Sequence, residues 1–363
     1  MPDRTLETVD IELPNTGYPV HIGRDLLGAV DVWAPTIPSG KILILSDANV
    51  APLYLDTLMK ALAGRTIDHL VLPAGESQKS FGNWRAMIDR LVDFGALRDA
   101  TIVALGGGVI GDLAGFVAAT YMRGVRYVQV PTTLLAQVDA SVGGKTAINH
   151  PAGKNLIGAF HQPSAVIIDV ETLDTLPPRE FRAGMAEVVK YGAIRDAEFF
   201  AWLEHKAAAI QAHDKATLLE LIACSVRNKA EVVAEDEKEQ GVRALLNFGH
   251  TFAHAIETLT GYGPYLHGEA VAIGMMAAAR LSEQTGLCAP GRADRLGRLL
   301  QAFDLDTRWP EDISAKSSLE AMALDKKALE SGLRLILLED IGTAVVRQGC
   351  NSRDIVRAIQ STE

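Results

Sequence analysis

Hydrophobic positions fall first into short, nearly uninterrupted runs and later into long helical repeats. Residues 41–46 (KILILS), 69–72, 101–105 (TIVAL), 126–130 and 165–169 are apolar runs of strand length, mostly rich in β-branched residues, as strands covered on both faces should be. Residues 50–63 and 81–94 have a helical period, and 73–80 (PAGESQKS) reads as a polar turn. Alternation of strand and helix predicts an α/β region with a mainly parallel sheet and ligands at the carboxyl ends of its strands. From Pro177 and Pro178 the pattern changes. Almost everything to Asp304 reads as amphipathic or buried helix, and strands return only at 334–338 and 343–346, around Gly342, before a last helix at 352–359. Two domains are expected, 1–176 and a mostly α-helical 177–363.

Composition narrows the functional classes. The chain has 363 residues, 48% hydrophobic and 22% charged, with a formal net charge of −10, which argues against a nucleic-acid or anionic-membrane partner. Cys224, Cys288 and Cys350 are scattered and in no C-x-x-C pair, as expected in a reducing cytoplasm. The first ten residues contain acids and no apolar core, so no signal peptide is read there. The nearly uncharged stretch 101–121 contains Asp112 and five glycines, which makes it soluble core and a poor membrane span.

Against an acidic background, clustered glycines and cations stand out between Leu105 and Lys154. A strand ends at Gly106, Gly107 and Gly108 and a helix follows at once, the arrangement that aims free backbone N–H groups at an anion. Gly106, Gly108 and Gly111 satisfy G-x-G-x-x-G, although no acidic residue stands about 20 positions on to hold a ribose. Gly144, Lys145 and Thr146 resemble the end of a P-loop, but Asp139 occupies the place of its first glycine, so an NTPase is disfavoured. Lys145 and Lys154, set among Gly, Thr and Asn, read as anion ligands. Asp47, Asn49, Glu76, Lys79, Gly107, Gly108, Thr132 and Thr133 all fall at or just beyond expected strand ends.

The helical half holds a candidate metal site. His250 and His254 are spaced i, i+4 in NFGHTFAHAIE, His267 follows a Gly/Pro/Tyr turn, and Glu187 lies in RAGMAEVVKYGAI. Thr251 replaces the glutamate of H-E-x-x-H, which disfavours a zincin protease. Three histidines and a carboxylate can supply a His₂Glu set with an open coordination position, and spacing alone leaves open whether His250 pairs with His254 or with His267. Lys190 lies one turn beyond Glu187, Lys326 and Lys327 follow Asp325, and Arg243 and Asn247 are expected on the His250 helix face.

In combination these segments resemble one family. LGGGVIGDLAGFVAATYMRGV, VPTTLLAQVDASVGGKTAIN, GKNLIGAFHQP, GMAEVVKYG, LNFGHTFAHAIE, HGEAVAIGM and the late DKK run in order over essentially the whole chain and look like 3-dehydroquinate synthase, within the sugar phosphate cyclase superfamily. The resemblance implies a Rossmann-like N-terminal domain binding NAD, a helical C-terminal domain binding a divalent metal, usually Zn²⁺ with Co²⁺ possible, an active cleft between them, and a homodimer. Carried over by motif, the metal ligands are Glu187, His250 and His267, and NAD is held by Asp47, Asn49, Glu76, Lys79, Gly107, Gly108, Val109, Asp112, Thr132 and Thr133. The substrate, 3-deoxy-D-arabino-heptulosonate 7-phosphate, meets Asp139, Lys145, Lys154, Asn155, Lys190, Arg243, Asn247, His254 and one of Lys326 or Lys327. Lys145 and Lys154 also stand in the cofactor set, and Arg123 matches an arginine that reaches the neighbouring subunit's phosphate site. The resemblance departs at Ala253, where glycine is common. A metal-dependent alcohol dehydrogenase of the glycerol dehydrogenase type, or another sugar phosphate cyclase, is the alternative.

Overall fold

A computed structural model describes residues 6–14, 16–33, 35–37, 40–239, 241–261, 263–325 and 333–362. By their internal contacts these divide into two compact units: the chain through Leu176 together with Leu218–Lys238, and Pro177–Thr217 together with the chain from Glu239 onward.

The first unit is built on a seven-stranded sheet in the order β1-β2-β9-β6-β5-β3-β4. Its strands are β1 (Glu7–Glu12), β2 (Gly17–Gly23), β3 (Ile42–Asp47), β4 (Ile67–Leu72), β5 (Thr101–Gly106), β6 (Arg126–Pro131) and β9 (Ala165–Asp169). A separate antiparallel hairpin is formed by β7 (Lys145–His150) and β8 (Gly153–Phe160). All sheet pairings are parallel except β1–β2.

Period-two alternation explains the layers. Leu43 and Leu45 of β3 and Ile102 and Ala104 of β5 pack on one face with Leu113, Ala114 and Val117 of helix Gly108–Thr120 and Met87 and Leu91 of helix Phe81–Asp93. Their neighbours Ile42, Ile44, Val103 and Leu105 pack on the other face with Leu55 and Leu58 of helix Ala51–Ala61 and with Trp33. Strands sandwiched in this way have to be apolar throughout, and β5 is buried at all six positions.

The antiparallel edge and the hairpin depart from the expected outline. In β1 only Val9 and Ile11 point inward between polar residues, so the segment lacks the apolar run that betrays the central strands. The stretch after Gly143 (φ 96°) and Gly144 (φ 65°), which lead into β7, is a hairpin that reverses between His150 and Gly153, and Gly158 admits close strand pairing, since a Cβ there would lie 2.3 Å from Thr146 O.

The second unit is helical. Helices Pro178–Arg195, Ala197–Gln211, His250–Leu259, His267–Gln284, Arg292–Ala302, Ala315–Asp325 and Ser352–Gln360 accompany one hairpin, β10 (Arg334–Asp340) with β11 (Thr343–Gln348). Helix Lys215–Glu235 begins in this unit and contributes most of its length to the first. Among the described residues no helix is long and apolar enough to cross a membrane.

Candidate active site

In the first unit the strand ends gather the expected polar residues. β3 stops at Asp47, whose Oδ1 accepts from the N–H groups of Asn49 (2.9 Å) and Val50 (3.1 Å) and turns the chain into the next helix. β5 stops at Gly106, and Gly107 is the extended residue at the start of helix Gly108–Thr120, with no side chain capping the helix. The leading N–H groups of that helix, through Val109, therefore face a potential anion. Gly111 lets this helix lie against β6, since a Cβ there would sit 2.7 Å from Gln129 Oε1. Beyond β6, buried Thr132 has a hydroxyl with no hydrogen-bond partner among the described residues, while Thr133 Oγ1 accepts from Ala136 N at 3.2 Å.

A polar network joins these ends to the hairpin. Lys79 is only 4% exposed, donates to Asp112 Oδ2 at 2.6 Å and to Asn155 Oδ1, and lies 3.6 Å from Glu76 Oε1. Burial raises the Asp112 carboxyl above its ordinary range, opposed by the Lys79 ammonium. Asn149, absent from the sequence-derived set, is the knot: it donates to Glu76 Oε1 (2.8 Å) and to Lys79 O (2.8 Å) and accepts from Asn155 N (2.9 Å). Asn155 is held in the left-handed region at φ 56°.

The hairpin also supplies exposed Lys145, the first residue of β7, and half-buried Lys154 of β8. Asp139 sits in a π-helical turn, Ala136–Ala140, where the buried Lys229 ammonium donates to its carbonyl oxygen at 2.6 Å and to Oδ1. Lys229, also missed, left a faint signal as a cation amid the apolar positions of its helix. Arg123 is exposed and left-handed (φ 67°), directly after left-handed Met122 (φ 48°).

In the second unit three helices converge on Glu187. Glu187 and Lys190 are each 1% exposed, one turn apart on helix Pro178–Arg195, with the ammonium ion-paired to Oε2. That contact meets no hydrogen-bond geometry, and both carboxylate oxygens are buried without a hydrogen bond. His250 Nε2 lies 3.6 Å and His267 Nε2 3.9 Å from Glu187 Oε1, and one ligand atom from each of the three residues lies within 4.8 Å of the others. Each imidazole is held from behind: His250 Nδ1 is 3.2 Å from Phe248 O and His267 Nδ1 is 3.3 Å from Glu257 Oε1. Burial, with the Lys190 ammonium and the neighbouring imidazoles, pushes His250 well below its ordinary range and favours the neutral, ligating form. Burial also opposes protonation of His267, but the hydrogen bond and charge of Glu257, with Glu187, outweigh it and shift that group upward.

Close backbone approach makes this possible. A Cβ on Gly268 would lie 1.9 Å from Ala183 O, and one on Gly274 would lie 2.2 Å from Gly249 O. Arg179 clamps the start of the His267 helix, reaching Glu269 through Nε (2.7 Å) and Nη2 (2.7 Å) and Pro264 O (2.6 Å).

His254 lies outside the donor trio. It is exposed, with its ring centroid 6.0 Å from that of His250 and 6.3 Å from that of His267. The expected continuous polar stripe from Arg243 to His254 is not found. Val242–Asn247 is a separate 3₁₀ turn, and extended Phe248 and left-handed Gly249 (φ 81°) interrupt it before helix His250–Leu259. Arg243 is consequently buried, at 1% exposure, while Asn247 Nδ2 donates to Glu239 Oε1 at 2.8 Å. Lys326 and Lys327 lie outside the described residues.

The family model for the 3-dehydroquinate synthase N-terminal region matches residues 69–183, and that for the C-terminal region matches 184–328. The chain belongs to the 3-dehydroquinate synthase family. A 3-dehydroquinate synthase of Methylococcus capsulatus is 54% identical over 341 residues, covering 94% of this chain and 95% of that protein. Solved structures of similar shape include the 2-epi-5-epi-valiolone synthase of Streptomyces hygroscopicus subsp. jinggangensis with NAD⁺ and Zn²⁺ bound (TM-score 0.89, 30% identity, 97% and 98% coverage). A 2-deoxy-scyllo-inosose synthase with carbaglucose-6-phosphate, NAD⁺ and Co²⁺ is also similar (TM-score 0.88, 27% identity, 98% and 100% coverage).

Proposed function

We propose that this protein is a 3-dehydroquinate synthase, converting 3-deoxy-D-arabino-heptulosonate 7-phosphate into 3-dehydroquinate and phosphate with catalytic NAD and a divalent metal, Zn²⁺ or Co²⁺. The observation that carries the reading is the convergence of Glu187, His250 and His267, in a chain of this family, around a buried carboxylate that has no hydrogen bond. Donors of this type suit a divalent cation with an open coordination position. The uncapped glycine start of helix Gly108–Thr120 and the partnerless Thr132 hydroxyl likewise suit a dinucleotide.

Glu187, His250 and His267 would hold the cation, and Asp47, Asn49, Glu76, Lys79, Gly107, Gly108, Val109, Asp112, Thr132 and Thr133 would hold NAD. When bound, NAD would accept a hydride from carbon 5 of the sugar and later give it back, and the cation would lower the pKa of the hydroxyl on that carbon, which loses a proton. Ketone formation acidifies the adjacent C–H, so phosphate leaves across positions 6 and 7, and ring opening and an intramolecular aldol closure complete an overall redox-neutral change.

Residues of this chain fix the geometry. Lys145, Lys154, Lys190 and Arg243 supply positive charge for a substrate bearing both a carboxylate and a phosphate, and Asn155, Asn247, Asp139 and His254 orient its hydroxyls. Lys326 or Lys327 adds a further cation, and Arg123 serves the phosphate site of a second subunit in a homodimer. The three cysteines, none of them in a disulfide, fit a cytoplasmic enzyme.

The test is phosphate release with metal-loaded protein and NAD far below the substrate concentration. Phosphate in large excess over NAD, without accumulation of NADH, is expected. No phosphate, with one NADH formed per molecule of a simple alcohol, would overturn the reading in favour of a dehydrogenase.

A further inference from the structure

Glu257 is a buried carboxylate that the reaction above does not use. It lies seven residues after His250 on helix His250–Leu259, is 5% exposed, and faces the first residue of helix His267–Gln284. Resting on the metal-site reading, we propose that Glu257 is the positioning residue of the cation site. It holds His267 in the tautomer that offers Nε2 as ligand, and it supplies the second buried negative charge that suits the site to a divalent ion.

The geometry follows from what each group can do. A carboxylate only accepts, so the proton shared across the 3.3 Å contact to His267 belongs on Nδ1. That leaves the lone pair on Nε2, the nitrogen 3.9 Å from Glu187 Oε1. Phe248 O holds His250 in the same way at 3.2 Å, but a carbonyl adds no charge, and a carboxylate behind an imidazole also raises its basicity as a ligand. As ligands both imidazoles would be neutral, and Glu187 and Glu257 then set two buried carboxylates against the Lys190 ammonium, a balance that suits a divalent cation.

The test is titration of metal-stripped protein with Co²⁺, followed by the visible absorption of the bound ion and by chelator competition, in wild type, Glu257→Gln and Glu257→Ala. Loss of an outer partner of this kind typically weakens metal binding by about 10–100-fold, and Glu257→Ala is expected to show that loss. Glu257→Gln retains an acceptor but no charge, so its loss is smaller but still about tenfold. NAD affinity, measured by fluorescence, is expected to stay at the wild-type value. Wild-type Co²⁺ affinity in both variants would overturn the inference and leave the metal site standing. Failure of wild type itself to bind Co²⁺ would overturn the metal-site reading as well. Should Glu257→Ala not fold, Glu257→Gln decides alone, and wild-type affinity there removes the charge argument.

Discussion

Glu187 and Lys190 form one buried pair in which the proposed metal ligand and the proposed substrate cation can be tested separately. A histidine ligand replaced by a methyl group cannot be compensated, so His250→Ala is expected to lose bound metal and, with it, all measurable activity. Metal content by atomic absorption checks this, and normal content with full activity would remove His250 from the ligand set. Lys190→Met should behave in the opposite sense toward the metal. Removing a cation beside Glu187 is expected to strengthen Co²⁺ binding by about tenfold or more, while the loss of its proposed role toward substrate is expected to lower kcat/KM by at least about a hundredfold. Parallel loss of metal and activity would instead make Lys190 a support for the ligands. Much of this arrangement is legible in sequence, because His250, His254 and His267, which precedes a glycine, point to a candidate metal site. The choice of partner is not, because the i, i+4 spacing says where two rings share a face and nothing about a third ring brought in by another helix. Glu257 was visible in the same motif, at i+7 from His250, but its role depends on where His267 arrives.

Helices meet in this protein through glycines, and that is where element-scale predictions belong. Gly268→Ala puts a methyl group against the Ala183 carbonyl and has to separate helices Pro178–Arg195 and His267–Gln284, so a loss of about 3 kcal/mol or more is expected together with weaker Co²⁺ binding. Gly263, in the turn before the same helix, has open space where a Cβ would stand, with nothing within 4 Å, and Gly263→Ala is expected to fall within about 0.5 kcal/mol of wild type. Urea unfolding of the two variants makes the comparison, and equal stability would refute the close-approach argument. The sheet core was legible because β3, β5, β6 and β9 are buried over nearly all their length and are therefore largely apolar. The β7–β8 hairpin was not, because its close pairing depends on Gly158 and its strands follow Gly143 and Gly144, residues that in sequence signal only a loop. The broken polar stripe has the same origin, since Gly249 ends one turn and starts another where side-chain spacing suggested one helix.

At the scale of the whole molecule, the two units hold different candidate ligand sets, and ligands should report on them separately. Binding stabilises only what it binds. NAD is expected to raise the unfolding midpoint of the first unit and Co²⁺ that of the second, each by several degrees at saturating concentration. Calorimetry with either ligand alone checks this, and a single transition shifted equally by both would show that the units unfold as one. The change in pattern at Pro177 is legible because parallel strands and long helices have different periods. The return of Leu218–Lys238 to the first unit is not, since a helix sequence does not reveal which core its apolar face will join.

That return imposes an order of events during synthesis. Leu218–Lys238 belongs to the sheet unit by its contacts, and Lys229 holds Asp139, so that unit lacks one of its segments until these residues exist. A ribosome reaches them only after making Pro177–Thr217, which belong to the other unit. Domains usually fold as units, N-terminal first, during synthesis. Here the first unit must wait for a stretch of the second to emerge, and a gene divided after codon 176 would yield a first half without the helix that completes it.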